Sequence, residues 1–235
     1  MTGFSIGFVM FPGITQLDFT GPYEVLSRLG TPAAISVASK FPQSTTHVVA
    51  KTMLPVASDR GLEIVPTHTF ETCPPLALVC VPGGAGVADA LEDAALLDFI
   101  RRQCRQASYV TSVCTGAFLL GAAGLLNGRR ATTHWAYTDL LPLVGATHEK
   151  SRVVRDGDVF TAGGVSSGID LAFSVVAEIA GPEVATAIQL GIEYDPFPPF
   201  DNGSPERASG EATALMIQRN AAARARIARK LEGAA

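Results

Sequence analysis

The sequence contains little charge, few aromatic residues and few histidines. Of its 235 residues, 17% are charged, 7% are aromatic and four are histidines, whereas 47% are hydrophobic. Disordered chains are poor in hydrophobic residues and rich in charge, so this composition excludes that class and predicts a sizeable core. Because a domain has about 150 residues, we expect one large domain or two small ones.

An excess of basic residues is also absent. The formal net charge is −4 and the isoelectric point is about 5.6, which argues against a nucleic-acid binder. The sequence has no apolar run of roughly 18 residues, the length that a membrane-spanning helix needs. Its first residues show neither the positive charge nor the cleavage site of a signal peptide. We therefore expect a cytoplasmic protein that binds neither nucleic acid nor a membrane.

Cysteine is scarce, and the spacing of the cysteines indicates neither a disulfide framework nor a metal site. The four cysteines, Cys73, Cys80, Cys104 and Cys114, form no CxxC pair. A disulfide framework is therefore not expected, and a reducing compartment fits the sequence better. The histidines show no ligand spacing such as HExxH, so we predict no metal site.

Short apolar segments alternate with segments of helical periodicity along the chain. The predicted strands are 4–10, 33–38, 47–50, 62–65, 76–81, 109–113, 152–155 and 158–162. The predicted helices are 18–29, 94–107, 115–125, 135–144, 169–179, 182–193 and 206–231. This alternation is typical of an α/β domain with a mainly parallel sheet. The near-continuous apolar run 76–81 indicates a central strand.

The predicted strand 109–113 runs into the sequence SVCTG, in which Cys114 opens a helix. This context is typical of a nucleophile elbow, and the small residues Ser112 and Gly116 allow the sharp turn. The nearby helix N-terminus is expected to stabilise a thiolate and to lower the pKa of the cysteine. Position alone leaves open whether Cys114 is reactive or an inert core residue. Cys80 and Cys104 are better explained as core residues.

Two glycine-containing loops follow other predicted strands. Residues 82–86 (PGGAG) offer backbone N–H groups for an oxyanion-type site, and a dinucleotide fingerprint is excluded because residue 89 is Asp89. Residues 164–168 match GxSxG, but all four histidines precede Ser166. An α/β-hydrolase needs its histidine after the serine, so we reject that interpretation. The loop remains a candidate lining for a pocket.

Asp18 follows the first predicted strand. If the strands 4–10 and 109–113 are neighbours in the sheet, their ends meet and Asp18 can approach Cys114. The alternative is a helix-capping aspartate, because aspartate is a favoured residue at that position. The sequence alone does not decide between these two roles.

Three segments resemble one known group of proteins. Residues 78–86 (LVCVPGGAG), 112–126 (SVCTGAFLLGAAGLL) and 131–137 (ATTHWAY) are similar to the DJ/PfpI superfamily of class I glutamine-amidotransferase-like proteins. Residues 17–26 and 163–171 extend the likeness, which covers about positions 4 to 200. Within the superfamily, these segments are most similar to the isocyanide hydratases. The resemblance implies a flavodoxin-like three-layer sandwich with a mainly parallel sheet and a homodimeric assembly.

The same resemblance implies roles for individual residues. Cys114 is the expected nucleophile and Asp18 its acidic partner, where many members have glutamate. Thr115 stands where protease-like members carry histidine, which argues against peptidase activity, and we expect it to orient the site. The expected substrate-binding or oxyanion residues share loops near the strand ends: they are Gly84, Ala85, Gly163, Gly164, Val165 and Trp135.

The implied reaction adds water to an isocyanide and gives an N-substituted formamide through a covalent cysteine thioimidate. No cofactor is expected, because hydration transfers no electrons. Two alternatives remain: a ligand-sensing or regulatory module without turnover, and a deglycase, glyoxalase or redox-protective enzyme of the same superfamily. We assign residues 1–200 to the superfamily domain and 201–235 to a C-terminal loop and helix, packed on that domain or on a dimer partner.

Overall fold

The computed structural model describes residues 3–30 and 44–233. Eleven strands lie within these residues: β1 (Phe4–Val9), β2 (Ser44–Ala50), β3 (Val56–Ala57), β4 (Glu63–Ile64), β5 (His68–Thr69), β6 (Leu78–Val81), β7 (Tyr109–Val113), β8 (Arg130–Ala131), β9 (Thr147–His148), β10 (Val153–Asp156) and β11 (Val159–Ala162). The helices are α1 (Gln16–Leu26), α2 (Val87–Ala90), α3 (Ala94–Cys104), α4 (Gly116–Ala122), α5 (Ser167–Ala180), α6 (Pro182–Gly191) and α7 (Gly210–Glu232), with 3₁₀ segments at Ser27–Gly30 and Trp135–Val144.

Seven strands form the main sheet in the order β10-β11-β7-β6-β1-β2-β5. Every pair of neighbours is parallel except β10 and β11, which form an antiparallel hairpin. All four residues of β6 are buried, as expected for a central strand between two helical layers. The α/β class with a mainly parallel sheet is thereby confirmed.

The first strand and the cysteine strand are not neighbours in the sheet, so the condition under which Asp18 was expected to approach Cys114 is not met. Strand β6 lies between β1 and β7, and β7 pairs with β6 and β11. Asp18 nevertheless lies near Cys114 at the end of β7: its carboxylate accepts a hydrogen bond from the Gly83 N–H just after β6, and α1 packs against α5, the helix that follows β11. The segments that follow β1 and β7 therefore meet across the carboxyl end of β6, which lies between the two strands.

Helix boundaries differ from the sequence prediction where short-range signals compete. Helix α1 begins before Asp18, so Pro22 lies inside it rather than in its first turn. The segment Trp135–Val144 is a 3₁₀ helix, interrupted by Pro142 and closed by Gly145 with φ 72°. The predicted strand 33–38 lies outside the described residues. Strands β3, β5, β8 and β9 went unpredicted, since two residues are too few to show a period.

The last helix, α7, packs on the same domain in this structure. Its residues Ile227 and Leu231 are buried against the core. Three ion pairs join it to α2, to the turn after α2 and to the Trp135–Val144 segment: Arg226–Asp89, Lys230–Glu92 and Arg224–Asp139. Among the helices in the described ranges, none is both long and apolar enough to cross a bilayer.

Candidate active site

Cys114 occupies a sharp turn between β7 and α4. Its backbone has φ 55°, a left-handed conformation that is unfavourable for a residue with a Cβ. Hydrogen bonds hold this conformation: the Cys114 N–H donates to the Gly163 carbonyl at 2.9 Å, and the Thr133 hydroxyl donates to the Cys114 carbonyl at 2.7 Å. A side chain at Gly116 would strike the backbone of Pro82. The geometry is that of the predicted elbow.

Asp18 is fully buried at this turn and does not cap its helix. The N-cap of α1 is Thr15, and Asp18 is the third helical residue. Its Oδ2 accepts a hydrogen bond from the Gly83 N–H at 3.0 Å. Within the described ranges its Oδ1 has no regular hydrogen bond, although the Cys114 thiol lies close enough to interact with the carboxyl group. The structure thus brings Asp18 and Cys114 together and contradicts the capping alternative.

Burial raises the pKa of Asp18 to about 7, against 3.8 for an ordinary aspartate. The Gly83 N–H and the Cys114 thiol oppose this rise by hydrogen bonding to the carboxylate, and the charge of Asp59 adds to it. Both protonation states are therefore populated near neutral pH, as a group that must alternate between acid and base requires.

The pKa of the Cys114 thiol is raised well above its usual range, contrary to our expectation. Burial is the largest cause, and the negative charge of Asp18 adds to it. The helix N-terminus does act in the expected direction, because the backbone N–H groups of Thr115 and Val165 and the Thr115 side chain all favour the thiolate. Their effect is smaller than the cost of desolvating the sulfur.

Thr115 links the elbow to the glycine loop after β6. Its Oγ1 accepts a hydrogen bond from the Gly84 N–H at 3.0 Å, so that N–H is engaged by the protein. Gly83 lies flat against the elbow, where a Cβ would stand 2.6 Å from the Thr115 N. Ala85 is exposed. The Gly84 N–H therefore differs from the free oxyanion donor that we expected.

The loop after β11 is in direct contact with the cysteine. Gly163 accepts the Cys114 N–H, and Val165 directs its own N–H toward the sulfur. Val165 has φ 25°, a second left-handed backbone conformation beside the elbow. Gly164 lies against the His134 ring, where a Cβ would stand 2.7 Å from the ring atom Cδ2. All three residues predicted in this loop are thus placed at or beside the site.

Trp135 lies beside the start of α7. It stacks on His134 with ring centroids 5.6 Å apart. It also lines a cavity of about 310 Å³ together with residues of the 202–208 loop and the start of α7. The ATTHWAY segment predicted Trp135 as a substrate-binding or oxyanion residue, and the structure shows its side chain lining this cavity.

Four residues near the site were not given a role from the sequence: Gly83, Thr133, His134 and Tyr137. Gly83 holds Asp18, and Thr133 fixes the Cys114 carbonyl. His134 caps the Trp135–Val144 segment through Nδ1, and burial lowers its pKa. The ATTHWAY segment was a usable signal for three of them, but a sequence does not show which of its side chains face inward.

The remaining cysteines behave as core residues. Cys80 and Cys104 are buried, and burial raises the pKa of both thiols to about 12. The half-buried Cys73 has a pKa raised to about 11 and donates to the Pro74 carbonyl. In residues 3–30 and 44–233, no cluster of three histidine, cysteine or carboxylate side chains could hold a metal ion.

The chain is similar to proteins of known family. The model of the DJ-1/PfpI family matches residues 4–178. An isonitrile hydratase from Pseudomonas putida is 55% identical over 203 residues, which cover 86% of this chain and 84% of that protein. A solved ThiJ/PfpI family protein from Pseudomonas syringae superposes with a TM-score of 0.87 at 38% identity, covering 100% of this chain and 91% of the other. DJ-1beta from Drosophila melanogaster shares the fold, with a TM-score of 0.67 and 21% identity over 82% of this chain and 98% of its own.

Proposed function

The chain belongs to the DJ-1/PfpI family, and from this premise we propose that it is an isocyanide hydratase, a cysteine-dependent lyase that converts R–NC and water to an N-substituted formamide. One observation supports the chemistry above all: a fully buried carboxyl group, Asp18, stands beside a thiol at a strained elbow, Cys114. The 55% identity to an isonitrile hydratase favours this substrate class over others in the family.

The first step in this proposal forms a bond between sulfur and the isocyanide carbon. Asp18, as carboxylate, takes the thiol proton, and the Cys114 sulfur attacks the terminal carbon. Attack leaves negative charge on that carbon, and Asp18 returns the proton there. The product is the thioimidate R–N=CH–S–Cys114, formed with no net gain or loss of protons or electrons.

The second step is hydrolysis of the thioimidate. Asp18, again a carboxylate, takes a proton from water while the water oxygen attacks the thioimidate carbon. That proton passes to the substrate nitrogen. The carbon–sulfur bond then breaks, the hydroxyl proton returns to the sulfur, and R–NH–CHO is released. A single carboxyl group therefore serves as base and acid in both halves, without histidine at position 115.

The surrounding backbone has a separate task in this mechanism. The N–H groups of Thr115 and Val165 favour the thiolate, which forms once at attack and again at departure. The Thr115 side chain adds a third interaction with the sulfur and is held by the Gly84 N–H. Preorganised donors of this kind stabilise developing charge because they need no rearrangement during the reaction.

The pH dependence follows from the Asp18–Cys114 pair. Below pH 7 both groups are protonated, and Asp18 is unable to accept the thiol proton. Because the pKa of Asp18 is about 7, we expect kcat/KM to rise through that pH and then to level off. We expect kcat/KM to decline only at high pH, above the raised pKa of Cys114, where both Asp18 and Cys114 have lost their protons.

The test is formamide production from a simple alkyl or aryl isocyanide by the purified protein. Cys114→Ala should abolish turnover. Asp18→Asn should lower it by about 10²–10⁴-fold, the usual contribution of a general acid–base group. Cys104→Ala, a buried cysteine at the end of α3, is the matched control for Cys114. A parent protein without isocyanide turnover would contradict the proposal, and deglycase or glyoxalase activity in that preparation would favour the second alternative.

We further propose that the protein acts as a cytoplasmic homodimer. The family likeness supports this assembly, as do the exposed Leu190, Phe197 and Phe200 around the Pro-rich loop, because large apolar side chains in water favour association. Light scattering should give about twice the chain mass of 24.5 kDa. A particle of the single-chain mass at micromolar concentration would contradict the dimer.

A further inference from the structure

We propose that the C-terminal helix α7 positions the cysteine turn through the hydrogen bond between Tyr137 and Asn220, and that Asn220 is a positioning residue for hydration. The kinetic test of this role rests on the proposed function. The family model ends at residue 178, so Asn220 lies outside the matched segment.

The contact between the helix and the site is specific. The Tyr137 hydroxyl, on a buried side chain, donates to Asn220 Oδ1 at 3.0 Å. The Asn220 amide is itself oriented, because its Nδ2 donates to the Met216 carbonyl one turn earlier at 2.7 Å. This second bond leaves Oδ1 as the atom that faces the phenol. The position therefore requires an acceptor oxygen rather than a polar residue in general.

From Tyr137 the contacts continue to the cysteine. The His134 ring packs edge to face on Tyr137, with centroids 5.7 Å apart, and its other side lies against Gly164. Gly164 is flanked by Gly163, which accepts the Cys114 N–H, and by Val165, whose N–H favours the thiolate. Because interiors are close-packed, a shift of Tyr137 moves His134 and the loop with it.

A second connection leads along the chain. Thr133 precedes His134 and donates to the Cys114 carbonyl at 2.7 Å. The stretch from Thr133 to Tyr137 thus fixes the carbonyl of Cys114 at one end and is fixed by Asn220 at the other. The negative charge of Cys114 raises the pKa of Tyr137, after burial, which is consistent with the proximity of the two side chains.

The other contacts of α7 are less specific. Its ion pairs with Asp89, Glu92 and Asp139 are exposed, and exposed pairs contribute little to stability. The buried Ile227 and Leu231 dock the far end of the helix by apolar contact. The Asn220–Tyr137 bond is therefore the directional contact by which α7 sets the position of the Thr133–Tyr137 stretch.

The experiment measures kcat, KM and the rate of Cys114 alkylation by iodoacetamide, with the labelled cysteine located by mass mapping. Tyr137→Phe and Asn220→Leu should each lower kcat about tenfold with KM changed less than threefold, because small displacements of a reacting group are costly. The double variant should be no worse than either single one, since both remove the same bond. Asn220→Asp keeps an acceptor oxygen for the Tyr137 hydroxyl but loses the Nδ2 donor to the Met216 carbonyl, so its kcat should lie between that of Asn220→Leu and that of the parent.

Tyr109→Phe is the matched control, because Tyr109 begins β7 at the end opposite Cys114, and its kcat should be unchanged. Parental kcat and alkylation in Tyr137→Phe and Asn220→Leu would overturn the proposal. A loss in Asn220→Leu that Asn220→Asp shares, or that follows only a lowered melting temperature, would overturn it as well. If the parent has no hydratase activity, the proposed function fails, and the alkylation rates alone decide the positioning role.

Discussion

Two loops flank the cysteine strand β7, and they use their backbone N–H groups differently. In the loop after β6, the Gly83 N–H holds Asp18 and the Gly84 N–H holds Thr115, so both donors are engaged by protein side chains. In the loop after β11, Val165 keeps a left-handed backbone and turns its N–H toward the Cys114 sulfur. One loop positions reacting groups, and the other faces the charge that forms during the reaction.

The comparison shows why glycine content alone misleads. Both loops contain closely spaced glycines after a strand, and from the sequence both were expected to supply substrate-binding or oxyanion residues. A backbone N–H is free for a ligand only when it does not already donate a hydrogen bond to a side chain. Whether it does depends on residues that are distant in sequence. Asp18 lies 65 positions before Gly83, and Thr115 lies 31 positions after Gly84.

The largest effect should come from the carboxyl group that the first loop holds. The pKa of Asp18 is raised from 3.8 to about 7, so the folded state retains a proton that the unfolded state loses. Its contribution to stability is present below pH 4 and is lost as pH rises to 7, at a cost of about 4 kcal/mol. The amide introduced by Asp18→Asn does not titrate, so this variant should gain on the parent by about this amount between pH 4 and pH 8.

Urea unfolding at several pH values measures this difference. Asp98→Asn, at an exposed carboxylate on α3, is the control and should follow the parent curve. If the free energies of unfolding of the parent and Asp18→Asn changed equally with pH, the carboxyl group would not be desolvated. The role that we assign to the first loop would then be wrong.

The next effect concerns Gly83 itself. An alanine Cβ would stand 2.6 Å from the Thr115 N and 2.9 Å from the Gly116 N, and these backbone atoms have little freedom to move. Gly83→Ala should therefore displace the elbow and lower kcat/KM about 10²-fold or more. Gly191→Ala is the control, because a Cβ there meets no atom within 4 Å. Near-parental turnover in Gly83→Ala would show that the close approach of this loop to the elbow is dispensable.

A smaller loss is expected from the hydroxyl that joins the first loop to the cysteine. Thr115→Val removes the acceptor of the Gly84 N–H and the side-chain interaction with the sulfur. We expect kcat to fall about tenfold, the cost of one or two hydrogen bonds. Thr115→Ser keeps the hydroxyl and should stay within about threefold of the parent. Equal kinetics for the valine and serine variants would assign the threonine a packing role only.

The smallest effect should come from the second loop. Val165→Gly keeps the N–H and relaxes the left-handed backbone, while glycine adds about 0.5–1 kcal/mol of entropy cost on folding. These two terms offset each other, so the denaturation midpoint and kcat should both change little, with kcat within about threefold. A tenfold loss of kcat would instead assign the role to the valine side chain, and the division between the two loops would need revision.

The fold was largely predictable because its signals are local. Strand β7 was predicted with the boundaries observed, Tyr109–Val113, since an apolar run met a small-residue turn there. The order of strands was not predictable in the same way. It depends on which helix covers which face of the sheet, and the insertion of β6 between β1 and β7 leaves no trace in either strand.

The site was predictable in its members but not in their electrostatics. Asp18, Cys114 and the loop 163–165 were named from motifs and resemblance, and the structure places them together. The direction of the Cys114 pKa shift was wrong, because burial depends on the whole surrounding core while a helix N-terminus is visible locally. Trp135 stacks on His134 and lines the cavity beside α7, whereas His134 lies against Gly164, and the segment ATTHWAY shows neither orientation.

The left-handed backbone at Cys114 sets two kinds of selection against each other at one position. Glycine is the residue that adopts φ near 55° without a Cβ penalty, and it would relieve roughly 1–2 kcal/mol of backbone strain against about 0.5–1 kcal/mol of entropy cost, while deleting the sulfur. A library randomised at codon 114 and screened for thermal resistance should therefore enrich inactive proteins, and a screen for turnover should return the cysteine alone. Directed evolution toward a more thermostable active variant must therefore act at other positions in the chain.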